Sequence, residues 1–333
     1  MSRRAVLLPL IITLLFAALS LGLIASCAMP ATGRSIFGDR VGLLYIEGII
    51  ATGRQGDSFF YMGETTSDHI SKVVKQAVDD KGVKALVVRV NSPGGSAAAS
   101  QEIYNSLKKF RDTGRPVIVS MGDVAASGGY YIAAAASEIY ANPATLTGSI
   151  GTIMSLVNYE GLYDLIGLQD RTITAGKYKD IGSPTRPMTS EERQILQGIL
   201  DQVHGQFKTA VASGRAFDDQ KIDEVATGMI FTGEQALANG LVDQLGGLED
   251  AVARAGELAG LGRDPVVDEL GKTGLLDQLL GDLGTLQSGH GGVAGKLGQA
   301  LNPLNSTQNP FYRLWSLILL DPRLAGEEAG VRY

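Results

Sequence analysis

An α/β fold built around a buried sheet is what the sequence predicts, on two observations. From Val41 to about Leu261, short apolar runs alternate with longer amphipathic stretches. That alternation is expected where strands and helices take turns along a chain. The second observation is size: 333 residues, 44% of them hydrophobic, supply enough apolar material for one large α/β domain with appendages.

Val41–Ile46, Ala85–Val90, Val117–Met121 and Glu138–Ala141 read as short buried strands, being compact apolar runs rich in Val and Ile. Ser67–Val78, Ala97–Phe110 and Glu191–Val211 read as helices. Thr189-Ser190 is a cap for the last of these, with Glu191 and Glu192 in its first turn facing the positive end of the helix dipole.

The two ends differ from this central region, 41–261. Arg3 and Arg4 are followed by no charge until Arg34, and Ala5–Ala25 is dominated by Leu, Ile, Ala and Phe. As a helix this stretch is long enough to cross a bilayer core of about 30 Å. The positive-inside tendency would keep Arg3 and Arg4 in the cytoplasm and carry the rest outside. Residues 1–33 therefore read either as an uncleaved anchor or as a lipoprotein signal. The second reading rests on Ile24-Ala25-Ser26-Cys27, which resembles a bacterial lipobox and would place lipid on Cys27. Either way the chain is tethered to a bacterial cell membrane and faces away from the cytoplasm. Residues 28–40 are a polar linker. Residues 262–333 form a C-terminal extension with leucines at near-helical spacing from Leu270 to Leu286, frequent glycine, and a short apolar run, Phe311–Leu320, around Trp315. That run is too short to span a bilayer. It suits packing on the core or on a neighbouring subunit, or an interfacial membrane contact. There is no internal repeat.

A net charge of -6 argues against a nucleic-acid partner, which needs a basic face. The single cysteine excludes an intramolecular disulfide and a cysteine-based metal cluster within one chain.

Three clusters carry chemistry. Asn91-Ser92-Pro93-Gly94-Gly95 follows the strand Ala85–Val90, and its glycines permit backbone angles that turn amides into a cleft. It is also an ordinary strand-to-helix turn in form. In Asp123-Val124-Ala125-Ala126-Ser127-Gly128-Gly129-Tyr130-Tyr131, Ser127 follows a strand and precedes an alanine-rich helical stretch, Ile132–Ala136. A serine at a helix N-terminus sits among unpaired amides and the positive end of the dipole. Gly128 N–H is then placed to hold an oxyanion, with Gly94 or Gly95 as second donor. The plainer alternative is a small-residue helix start capped by Ser127. The third cluster, Ala175-Gly176-Lys177-Tyr178-Lys179-Asp180, has no intrinsic mark of function. A lysine acts as a base near neutral pH only where burial or nearby positive charge holds it neutral.

Together these segments resemble the bacterial signal peptide peptidase A family. The match is carried by NSPGG, by the serine in DVAASGGYYIA, by ANPATLTGSIG (Ala141–Gly151), by AGKYKD and by MIFTGEQALANGLVDQLGG (Met229–Gly247). It runs from about Val41 to Leu261 and leaves the tail outside. The resemblance implies a Clp-peptidase and crotonase-like fold of repeated β-β-α units. It also implies a Ser-Lys dyad, with Ser127 as nucleophile, Lys179 as general base and Ser149 orienting the lysine amine. No metal or cofactor is implied. The expected substrates are membrane-associated peptides such as remnant signal peptides. The expected assembly is a closed ring, of eight chains for this short form, with Ser127 facing Lys179 of a neighbour.

Three rivals remain. A Clp-type Ser-His-Asp triad would need a histidine, and none of His69, His204 and His290 lies at the usual distance beyond the serine. His204 falls in an amphipathic helix, where a satisfied histidine is expected. A crotonase-like acyl-CoA enzyme would leave Ser127 and Lys179 without roles. A catalytically silent membrane scaffold is at odds with an intact Ser127, Ser149 and Lys179.

Overall fold

A computed structural model of the chain describes residues 38–53 and 64–271. The expected membrane segment, Cys27, His290 and the tail beyond 271 lie outside the described residues. Among the described residues, no helix is long and apolar enough to cross a membrane.

A mixed sheet forms the centre. Its strands are β1 (Arg40–Ala51), β2 (Glu64–Thr66), β3 (Val83–Gly95), β4 (Val117–Ala126), β5 (Glu138–Ala141), β6 (Leu146–Gly148), β7 (Ile230–Thr232), β8 (Gln244–Leu245) and β9 (Val267–Glu269). The order is β2-β1-β3-β4-β5-β8, with β9 on β1, β6 on β4 and β7 on β6. The β6–β7 pairing is antiparallel and the others are parallel.

Helices cover both faces. They are α1 (Ser67–Asp79), α2 (Ala97–Arg111), α3 (Gly128–Ala133), α4 (Glu160–Ile166), α5 (Ser190–Arg215), α6 (Asp219–Val225), α7 (Gly233–Ala238) and α8 (Leu248–Leu258). Alternation along β3 shows why the strands read as continuous apolar runs. Leu86, Val88 and Val90 join Ile70, Val73 and Val74 of α1 and Ile103, Leu107 and Phe110 of α2 in the main core. Ala85 and Val87 point the other way, to Ala251 and Ala255 of α8. A strand buried on both faces has no polar side to show. Each large side chain buried here contributes about 1.5–3 kcal/mol.

The four expected strands and three expected helices are present, and the strands β1, β3 and β4 run on past their expected ends. Those extensions carry the chemistry described below. The alanine-rich helix starts earlier than expected, at Gly128, and ends at Ala133. Thr189 caps α5 as expected: its side chain accepts from Glu192 N–H, and Glu192 reaches back to the Thr189 N–H. At the other end Gly214 lies so close to the Ala134 carbonyl that a methyl group would overlap it.

Residues 151–189 leave the core as an arm. It is held to itself by Tyr159 N–H to Pro184 O (2.6 Å) and Asn158 Nδ2 to Arg186 O (3.3 Å). Its base is tied to α5 by Thr152 Oγ1 donating to Leu200 O at 3.1 Å. Helix α4 buries no residue, and Ile153, Leu165 and Ile173 are 90%, 83% and 97% exposed.

Candidate active site

Ser127 closes the turn between β4 and α3. Its φ of 50° and ψ of −118° are unusual for a residue with a Cβ, and such angles cost about 1–3 kcal/mol. Neighbouring structure holds it there. Ser127 N–H donates to Gly148 O at 2.9 Å, and Ser127 O accepts from Tyr131 N–H at 2.9 Å. The following aromatics are anchored. Tyr130 is fully buried, donates its hydroxyl to Leu241 O at 2.8 Å, and burial raises its pKa above the phenol range. Tyr131 packs edge-on against Tyr104 and, tilted, against Phe207 of α5.

Beyond the turn, Gly128 is the first residue of α3, so its N–H has no acceptor within the helix. Gly94 lies across from it with φ of +106°. A Cβ on Gly94 would fall 2.7 Å from Gly128 N and 2.9 Å from Ser127 Cβ, closing the space in front of both. The two glycines of the NSPGG turn are not equivalent. Gly94 N–H is engaged by Ser92 Oγ at 3.1 Å. Ser96 N–H bonds Ile50 O across the β1–β3 ladder at 2.8 Å. Because successive amides of a strand point to opposite sides, the Gly95 amide points away from β1. Its nitrogen lies 3.3 Å from where a Gly128 Cβ would stand. Any side chain at Gly95 would overlap the Ile50 backbone.

Ser149 follows Gly148, whose carbonyl Ser127 bonds, although it lies 22 positions later in the chain. Ala126 is the register partner of Gly148 in the parallel β4–β6 pairing, and the Ser127–Gly148 bond continues it. Ser149 also has φ of 50°, and its N–H donates to Met229 O at 2.7 Å. The structure thus brings Ser127, Gly128, Ser149, Gly94 and Gly95 to one end of the sheet.

Lys179 is elsewhere, exposed on the arm. Turn bonds coil its backbone: Lys179 N–H to Gly176 O (3.2 Å) and Ile181 N–H to Tyr178 O (3.1 Å). Among the described residues its amine has no hydrogen bond or ion pair, and none joins it to Ser127. Its neighbours are engaged. Lys177 bonds both oxygens of Glu191 at 2.8 Å, which holds its ammonium protonated well above the ordinary lysine range. Asp180 accepts from Arg186 at 2.8 Å, and that bond holds its carboxyl below the usual range.

Neither His69 nor His204 makes a hydrogen bond to Ser127 among the described residues. His69 lies on α1, where burial and then Lys72 lower its pKa. His204 corrects the expectation of a satisfied side chain: its Nε2 is buried without a hydrogen-bond partner among the described residues. Among the described residues there is also no group of three His, Cys, Asp or Glu fit to hold a metal ion.

A hydroxyl on a strained turn, beside a helix-start amide and with the Gly95 amide nitrogen close by, is suited to attack on a carbonyl. Comparison with known proteins agrees with that chemistry. A model of peptidase family S49 matches residues 109–262, and one of Clp protease matches residues 48–146. A Synechocystis sp. protein provisionally named a protease is 46% identical over 60% of this chain and 72% of its own length. Protease 4 of Salmonella typhi is 40% identical over 67% of this chain, which spans only 35% of that longer protein. An Enterococcus faecium protein provisionally named signal peptide peptidase SppA is 38% identical over 63% of this chain and 60% of its own. The strained serine and its amides thus belong to a chain that is a member of peptidase family S49 and a serine peptidase.

Proposed function

We propose that the chain is a Ser-Lys endopeptidase in which Ser127 attacks a peptide carbonyl. Neutral Lys179 takes the serine proton and returns it to the leaving amine, and Ser149 orients the lysine. Gly128 and Gly95 N–H hold the oxyanion. Water, activated by the same lysine, then clears the acyl-enzyme. The observation that carries this reading is the Ser127 turn, whose strained backbone faces two glycine amides across a space that a single Cβ would fill.

Lys179 reaches this site from a neighbouring copy. In its support, the amine is exposed and, among the described residues, unpaired, and it rides on an arm whose Ile153, Leu165 and Ile173 are exposed. Docking would bury those residues and desolvate the amine, which favours a neutral base. A closed ring of eight chains on a Clp-like core of β-β-α units is the arrangement we favour. Remnant signal peptides are the substrates we favour, because the Enterococcus relative bears that name and residues 5–25 suit a membrane anchor. Activity then rises with pH, because the base works only after losing its proton.

Complementation tests the reading. Ser127→Ala and Lys179→Ala chains, each inactive alone, are mixed under conditions of verified subunit exchange and assayed on a fluorogenic peptide. Activity should return where an intact serine meets an intact lysine. No return means the dyad is not shared between chains. Near-normal activity of Lys179→Ala alone means Lys179 is not the base.

A further inference from the structure

Four carboxylates lie between residues 170 and 192, the stretch around Lys179, and all four accept hydrogen bonds. Asp180, its immediate neighbour, accepts from Arg186 Nε at 2.8 Å. Glu192, in the first turn of α5, accepts from Arg186 Nη1 at 3.0 Å, from Nη2 at 2.5 Å and from Thr189 N–H at 2.9 Å. Glu191 accepts from Lys177 at 2.8 Å and from the Tyr178 hydroxyl. Asp170 accepts from Thr172 Oγ1 at 2.6 Å and from Thr185 Oγ1. Lys179, between these groups in sequence, has no side-chain partner of its own among the described residues. One guanidinium therefore takes two carboxylates at once, as its planar fork allows and a lysine ammonium does not.

We infer that Arg186 is a positioning residue for the base: by holding Asp180, it denies Lys179 an anionic partner that would keep the amine charged. The inference rests on the reading of Lys179 as base. Its physical ground is that a carboxylate within about 4–6 Å favours the charged lysine by about 1–3 pH units. Glu192 is a lesser threat, because the Thr189 capping bonds hold it with or without Arg186. Glu191 is held doubly, by Lys177 and Tyr178, so loss of Lys177 alone should change little. Among the described residues the Asp180 carboxylate has one side-chain donor, Arg186.

The test is kcat/KM against pH for the full-length chain in detergent, with a fluorogenic peptide. In Arg186→Gln the alkaline inflection should move up by about one pH unit. Activity near neutrality should fall about tenfold and recover at high pH, with KM little changed. The neutral pair Arg186→Gln/Asp180→Asn should return the inflection to its original position. Equal loss at every pH, or no rescue by the pair, would mean that Arg186 only fastens the loop. Should Arg186→Gln fail to fold, the neutral pair still decides: a displaced inflection there overturns the inference. Lys179→Ala is assayed in parallel. If it stays active the base itself is misassigned; if it is inactive while Arg186→Gln keeps the original profile, only the role of Arg186 fails.

Discussion

Replacing Ser127 by glycine and, separately, by alanine separates the chemistry of this residue from its backbone strain. Both variants should be inactive, since neither has a hydroxyl. They differ by a single Cβ on a backbone with φ of 50° and ψ of −118°. At an ordinary position glycine is less stable than alanine by about 0.5–1 kcal/mol, because its unfolded chain has more freedom to lose. Here the Cβ itself carries the strain, about 1–3 kcal/mol. Subtracting the first effect from the second leaves Ser127→Gly more stable than Ser127→Ala by about 1 kcal/mol. For a domain of this size that is a rise in Tm of about 2–4 °C. Thermal unfolding of both variants at one protein concentration reads the difference, which keeps any contribution from assembly constant. The sign decides. If the alanine variant melts higher, the turn is not strained as argued, and the hydroxyl is not held at the expense of stability.

Two glycines of α5 should respond in opposite directions to alanine. Gly205 has open space where a Cβ would stand, so Gly205→Ala should stabilise by up to about 1 kcal/mol. At Gly214 the methyl would overlap the Ala134 carbonyl, and Gly214→Ala should cost about 1–3 kcal/mol despite the better helix former; denaturant titration of both variants checks the pair. Tyr130→Phe removes the buried donor to Leu241 O and should destabilise by about 1–3 kcal/mol, read from the denaturation midpoint. Glu192 is held down to about 2, first by its hydrogen bond from Arg186 and then by Thr189 N–H. A carboxyl lowered on folding adds stability above its unfolded pKa of about 4.3 and loses it as pH falls toward the folded value. Between about pH 4.5 and pH 2 the wild-type Tm should therefore fall more steeply than that of Glu192→Gln; parallel curves over that range would contradict the assignment.

Much of the site was legible in the order of residues. The apolar runs of β3 and β4 are continuous because both faces of those strands are buried, and the glycine-rich turns that follow them stand out at once. Ser127 at a helix start and Thr189 as a cap are local features, set by residues within one turn of each other. Other features are decided across the fold. Ser127 comes to the Gly148-Ser149 turn only because β4 and β6 pair in parallel with Ala126 opposite Gly148. No local pattern states that register. The choice between Gly94 and Gly95 as donor depends on which amide faces β1, and so on the ladder to Ile50. That His204 Nε2 is buried without a partner among the described residues is something helical periodicity does not report. The role of Arg186 was missed for the same reason. In sequence it is one cation in a polar stretch, and only the folding of the arm onto the first turn of α5 gives it two carboxylates. Short-range order follows from the chain's own periodicity and turn chemistry, whereas strand register, amide direction and the pairing of distant charges follow from long-range packing, and those decide how the site works.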